Sequence, residues 1–308
     1  MLPDPSAPKH RPYRWAAAAF QIGLKPMTMA EWLEVGPDHV SFMAAKRGRL
    51  KGRPPLFYGS LPESRAAQDE LRDVVAAHLA AHHADSFARY GDRMTDLLDG
   101  TVHDLRDPAR EPLEAIADLT EEDFVIFEKR DGRDIVTATS NAYSSSGRIA
   151  STVGHGMNFA HGPVPGLNDQ LGSRIDRVMA NIRVDAPVVR FNWFVTAIGD
   201  RLYPVRSEEH HLAATAPARA VLDADHRQAG DLLWLRVERQ TFVRLPSTGA
   251  LAFGIHTYSH PFHLLAGDRD SLSAIHALLS DYAEDRLRYS GMLDTRAPIL
   301  RWIEDQLA

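Results

Sequence analysis

Three groups of residues in this chain have the types and spacing to do chemistry. The first lies in residues 233–258, LWLRVERQTFVRLPSTGALAFGIHTY. It reads as a long strand, a Pro-Ser-Thr-Gly turn and a second strand. Alternation places Leu233, Leu235, Val237, Arg239, Thr241, Val243 and Leu245 on one face. Trp234, Arg236, Glu238, Gln240, Phe242 and Arg244 fall on the other. The apolar face therefore carries a guanidinium in its middle, which is costly to bury unless a fixed anion pairs with it. The opposite face carries three polar groups in succession, Arg236, Glu238 and Gln240. They either line a pocket or meet solvent.

The second group is the loop GHGMNFAHGPVPG at 154–166. Glycine permits close backbone approach to a ligand. Pro163 and Pro165 fix φ and hold the residues before them extended. His161 is thus presented on a stiff segment, as a metal-binding imidazole must be. A histidine that bonds a backbone carbonyl to stabilise its loop fits the same residues. The third group is histidine-rich: His256, His260 and His263 in HTYSHPFH, with His210-His211 upstream. On a strand, His256 and His260 share a face but lie about 13 Å apart, so joint metal ligation needs a turn at Tyr258-Ser259. His78, His82 and His83 sit on a helical stretch without a metalloprotease glutamate and read as a surface cluster. Arg190 and Asn192 share one face of the strand VVRFNWFVTA, and the planar fork of Arg190 suits a carboxylate.

The elements that must position these groups follow from periodicity and turn signals. Residues 1–14 are Pro-rich and basic and read as a flexible arm. Residues 29–50 read as helical with a break near Gly36-Pro37, and Pro62 opens a long helix reaching about residue 90. Residues 92–99 extend that helical region. DFVIFEK and DIVTATSN flank Asp131-Gly132 as a hairpin. A short helix is expected at 148–153, a helix at 169–182, a strand at 188–197, and a loop with a short helix at 204–230. Residues 268–289 and 296–307 read as closing helices. Helices, then about five antiparallel strands with helical insertions, then helices make an α+β domain with one curved antiparallel sheet.

Composition narrows the function. Apolar content of 44% and charged content of 25% belong to a soluble globular chain. The net charge of −6 and the lack of a dense Lys/Arg block argue against nucleic acid as a partner. No apolar run spans a membrane and none resembles a signal-peptide core, so a cytoplasmic location is expected. The chain has no cysteine, which excludes disulfides, zinc–thiolate sites, a catalytic thiol and chain-supplied iron–sulfur ligation. Neither a phosphate-binding loop nor a dinucleotide fingerprint is present. Any redox chemistry must draw electrons from another protein.

Three segments taken together, AHGPVPG at 160–166, RFNW at 190–193 and LRVERQTFVRLPSTGALAFGIHTY at 235–258, resemble the haem-dependent oxidative N-demethylase family, which includes the haem subunit of dimethylamine monooxygenase. The resemblance covers about residues 20–290. It implies a PAS-like sheet that binds haem b, activates O2 and oxidises a small amine at an N-methyl carbon. The carbinolamine formed would collapse to formaldehyde and the dealkylated amine. It also implies a separate flavin and iron–sulfur electron-transfer partner. Residues 15–308 would form a single haem-binding domain, helical at its N-terminal (about 15–110) and C-terminal (about 268–308) ends. Carried onto this chain, His161 is the first choice for the proximal iron ligand, followed by His155 or His256, with Pro163 shaping the loop. Arg190, Arg236 and Arg239 are implied partners of the haem propionates. Glu238 would hold the cationic amine or pair with one of those arginines. His256, Tyr258 and Gln240 would lie on the distal side. Residues 141–147, NAYSSSG, depart from the family pattern, where a Pro and a Trp are expected, so dimethylamine itself is not implied. The same residues also suit a haem enzyme that needs no reductant, or a PAS-like haem sensor.

Overall fold

The computed structural model describes residues 7–16, 22–142, 149–156, 159, 175, 177–201 and 208–308. Ten strands are placed among them: β1 Lys25–Pro26, β2 Tyr58–Ser60, β3 Phe87–Tyr90, β4 Arg93–Asp96, β5 Val102–Asp104, β6 Asp123–Arg130, β7 Arg133–Ser140, β8 Val188–Thr196, β9 Trp234–Arg244 and β10 Leu251–Pro261. The helices that matter here are α1 His39–Leu50, α2 Arg65–His82, α3 Pro112–Ala117, α4 Glu208–Ala224, α5 Ala229–Leu232, α6 Arg269–Asp281, α7 Glu284–Tyr289 and α8 Arg296–Leu307. Seven strands form one antiparallel sheet in the order β1-β8-β9-β10-β6-β7-β2, and β3-β4-β5 form a small second sheet. The chain is α+β, as its pattern indicates.

The β9–β10 hairpin is the spine of the large sheet. Its eleven-residue strands pair from Leu251↔Arg244 to Pro261↔Trp234, and Gly249 at the turn has φ +70°. Glu70 of α2 clamps the tip by accepting from Ser247 N (2.6 Å) and Thr248 N (2.8 Å). β8 lies on the other side of β9, from Val188↔Phe242 to Thr196↔Trp234. The Asp131-Gly132 turn of β6–β7 takes φ +49° and +78°, the left-handed pair that a two-residue hairpin needs.

The sheet has two different faces. One packs Val189, Trp193, Val195, Leu235, Val237, Val243, Ala252, Phe124 and Ile126 against α2, the N-terminal segment and the C-terminal helices in two large apolar clusters. The other is apolar only at one end, where Phe242, Phe253, Leu251, Val125 and Phe127 meet Val153, Ile175, Met179 and Ile182.

Several expectations are corrected. The helix opened by Pro62 stops at His82, because the chain turns at His83 and runs into the small sheet. Phe87 fits a helical period, but Gly91, with φ +63°, makes the β3–β4 turn. Residues 92–99, read as a helical extension, supply β4. Within 204–230, read as loop and short helix, α4 runs for 17 residues even with Pro217 inside it. The 268–289 helix is two helices, parted where Tyr282 adopts extended backbone (ψ 132°). Residues 7–14, read as part of a flexible arm, are packed: Tyr13 is 1% exposed, and Arg14 donates to Ser271 Oγ (2.9 Å). His78 is buried rather than on the surface, edge-on to Trp32, and burial with His82 and His83 nearby lowers its pKa to about 3.

Candidate functional site

Away from its apolar end, the second face of the sheet is polar. Three rows of side chains cross it, set by strand register. Phe194, Arg236 and Ser259 form one; Asn192, Glu238 and Thr257 the next; Arg190, Gln240, Ile255 and Asp123 the third. The row beyond is Val188, Phe242, Phe253 and Val125, an apolar wall in which the Phe242 and Phe253 rings stack at 4.6 Å. At the opposite end the chain crosses close over Trp234, and a Cβ on Gly199 would come within 2.1 Å of that ring. Ser259 Oγ donates to Gly199 O (2.9 Å), and Arg201 is paired with Asp38 and lies 4.3 Å over the Phe42 ring.

Glu238 is the hub of this floor. Its carboxylate accepts from Gln240 Nε2 (3.1 Å) and Asn192 Nδ2 (3.5 Å), and Arg236 Nε stands 3.5 Å from Oε1. Glu238 and Arg236 are buried, at 8% and 6% exposure. Thr257, directly across from Glu238, is also buried, and its hydroxyl has no hydrogen-bond partner among the described residues. Arg190 has neither hydrogen bond nor ion pair among the described residues, and its Nε is buried without a partner. Burial pulls the Arg190 pKa down, and the Glu238 charge opposes that pull. Tyr289 of α7 belongs to the same electrostatic group: burial and Glu238 raise its pKa, and Arg190 lowers it. A floor of this kind can take an anion at Arg190, a cation at Glu238 and a flat apolar group against Phe242 and Phe253.

The structure divides the residues that the sequence singled out. Arg190, Arg236, Glu238 and Gln240 come together on this face, whereas strand alternation puts Arg239, His256 and Tyr258 on the opposite one. There, Arg239 pairs with Glu34 Oε1 (3.2 Å) and donates to the carbonyls of Trp32 (2.9 Å) and Glu31. The buried guanidinium thus has the fixed anion its position demands. His256 lies between Glu121 and Glu122, and its ring stacks on Tyr258 at 4.5 Å. Tyr258 donates to Glu34; burial and that carboxylate push its pKa far up. Burial would raise the Glu34 pKa, but bonds and charges from His10, His256, Arg239 and Tyr258 pull it far down. His161 and Pro163 lie outside the described residues. His155 stacks on Phe159 at 4.1 Å.

Sequence reasoning missed Thr257 on the polar face, Tyr289 within electrostatic reach of its Arg190 and Glu238, and Glu34, Glu121 and Glu122 on the other face. Thr257 sits in a strand whose next residue drew attention instead. Glu121 and Glu122 belong to an acidic run, TEED, which reads as a solvated turn but is buried at 1% exposure. No cluster of three or more His, Asp or Glu able to hold a metal ion occurs among the described residues. No described helix is long and apolar enough to cross a membrane.

Comparison with known protein families matches residues 23–300 of the 308 to the family described as haem-dependent oxidative N-demethylase, alpha subunit-like. The chain belongs to that family, as its motifs indicate. Haem dependence and oxidative N-demethylase-like chemistry are what the family's description carries.

Proposed function

We propose that this chain is the haem-binding, amine-oxidising subunit of an N-demethylase, and that the polar face of its large sheet is the floor of the haem and substrate site. The observation that carries the reading is Arg190. A guanidinium drawn into a protein without an anion is unfavourable, and a haem propionate is an anion its fork can grip in bidentate fashion.

The residues fit haem b as a whole. Phe242, Phe253 and Ile255 offer apolar surface for the macrocycle beside Arg190. Arg236 is the second propionate candidate on this face. Arg239 would act from the far side, holding the sheet to the N-terminal segment. His161, stiffened by Pro163, remains the proposed proximal ligand on the strength of the family motif. The sheet would then serve as a PAS-like ligand-binding platform within one domain spanning residues 15–308.

Bound there, haem would supply the O2-dependent oxidation of an N-methyl group, with electrons from a separate flavin and iron–sulfur protein. The chain's own residues would bind and orient the amine. Glu238 keeps a carboxylate ready for an ammonium N–H, and its bonds to Asn192 and Gln240 fix the plane of that carboxylate. Thr257 offers a hydroxyl beside it that no group among the described residues uses. His256 and Tyr258 would support the site through the β10 backbone rather than by touching the substrate.

The first experiment is a visible spectrum of the purified protein before and after haem, then dithionite. A strong Soret band that shifts on reduction supports the reading, and a blank spectrum after haem addition removes it. His161→Ala tests the ligand: a wild-type spectrum and haem content in that variant would refute it. Turnover of a methylated amine without any reductant would sink the monooxygenase assignment.

A further inference from the structure

Residues 27–39 cross the helix-covered face of the sheet and are fastened to it by buried charges. Glu122 Oε1 accepts from Glu34 N (2.9 Å), and Glu121 Oε1 accepts from Gly36 N (2.6 Å). Arg239 reaches the carbonyls of Glu31 and Trp32. Two histidines complete the arrangement. His256 has Glu122 Oε1 3.2 Å from Nδ1 and Glu121 Oε2 3.6 Å from Nε2. His39 has Glu121 Oε1 2.8 Å from Nδ1 and Asp96 Oδ2 3.2 Å from Nε2. Both imidazoles therefore face a carboxylate at each ring nitrogen. A neutral imidazole carries one N–H and would point a lone pair at the second carboxylate, whereas an imidazolium donates from both nitrogens.

Charge balance leads to the same protonation state. Asp96, Glu121, Glu122 and Asp123 are each at most 1% exposed, and the permanent cations buried with them are Lys46 and Arg239. Lys46 Nζ stands 3.1 Å from Asp123 Oδ1 and donates to the carbonyls of Thr120 (3.0 Å) and Glu122 (2.6 Å). The less buried Glu34 and Arg47 cancel each other. Two negative charges are left over, and two imidazoles touch them. The remaining charged or titratable neighbours are Lys9 and His10 at Glu34, Asp99 and His103 at Arg47, Tyr258 stacked on His256, and the ion pair of Asp38 with buried Arg201, whose charges cancel.

We infer that His39 and His256 form a two-proton latch: with both imidazoles charged, residues 27–39 stay fastened across the sheet, and loss of those protons loosens them. The direction of titration agrees. Burial alone would lower both pKa values, but Glu122, Glu121 and Glu34 raise that of His256, and Glu121 and Asp96 raise that of His39. A raised folded-state value means that the stabilisation is complete below about pH 6.5, the unperturbed histidine value. It is lost as pH rises through the folded-state values. The latch opens on the alkaline side, independently of what binds the opposite face.

The test uses the whole wild-type chain. Ring-nitrogen NMR at pH 7.5 should show two histidines protonated at both nitrogens. Hydrogen exchange of residues 27–39, corrected for the intrinsic base-catalysed rate, should lose protection by about tenfold per pH unit for each proton released, up to about a hundredfold where both histidines titrate, while α6 keeps its protection. Glu121→Gln, which weakens both histidines' partners, should move that loss to lower pH. Only neutral rings at pH 7.5, or protection that stays level from pH 6.5 to 9.5, overturns the inference. Should Glu121→Gln fail to fold, the wild-type NMR measurement decides by itself.

Discussion

Arg190→Met should make the empty protein more stable and its haem less tightly held. The substitution keeps the apolar stem and removes only the guanidinium. Among the described residues that group has no hydrogen bond or ion pair, and its Nε is buried. Relief of an unsatisfied buried polar group is worth about 1–3 kcal/mol. Glu238 does not become an orphan in exchange, because Arg236, Asn192 and Gln240 still hold it. Urea unfolding of the apoprotein should therefore show a higher midpoint at unchanged slope, equivalent to about 1–3 kcal/mol. Haem would lose one charge-assisted contact worth about 1.5–3 kcal/mol, so its transfer to an acceptor protein should be about ten- to a hundredfold more favourable. An apoprotein destabilised by more than about 1 kcal/mol, with haem retention unchanged, would refute the reasoning. Arg190 would then be a structural group with an internal partner.

Arg239→Ala should do the reverse, costing about 2–5 kcal/mol of stability by leaving the carbonyls of Glu31 and Trp32 without their donor, while Glu34 keeps Lys9, His10 and Tyr258; a loss under about 1 kcal/mol in urea unfolding would contradict the placement. Glu238→Gln should weaken amine binding by about tenfold or more and also lower the unfolding midpoint, because buried Arg236 and Arg190 lose the negative charge beside them, and an unchanged KM would exclude Glu238 from substrate binding. Gly199→Ala must move either the Trp234 ring or the crossing backbone, since the new Cβ would sit 2.1 Å from Trp234. Its tryptophan fluorescence should shift and its melting temperature fall, and an unchanged protein would mean that the crossing at 199 is not tight.

The large hairpin was legible because its two strands are long and its turn is marked by glycine. Alternation alone also located Arg239 inside and Arg236, Glu238 and Gln240 opposite. The pairing of Arg239 with a carboxylate followed from the cost of burying a guanidinium, but Glu34 as the partner did not, since it lies 205 positions away in an unremarkable segment. Grouping His256 and Tyr258 with Glu238 failed for a geometric reason. Direct cross-strand partners share a face, and Glu238 is opposite Thr257, so the two neighbours of Thr257 point away. Register between strands is a property of the folded sheet, and a motif read along one strand does not contain it. The small sheet escaped notice because three- and four-residue strands carry too little alternation to compete with a helical period.

The pleat gives this chain a parity rule. In β9 the odd-numbered positions hold the molecule together and the even-numbered ones lie on the face proposed as the site; in β10 the assignment is inverted. A library of single substitutions scored for both abundance and turnover should therefore separate into two interleaved combs along 234–261. One comb lowers the amount of protein, and the other lowers turnover per molecule. A single-residue insertion within either strand would exchange the combs, sending Glu238 into the packed interior and its neighbours into the pocket. If this face is the proposed site, its substrate can be retuned by substitution at alternate positions but not by a change in strand length, which would shift the register.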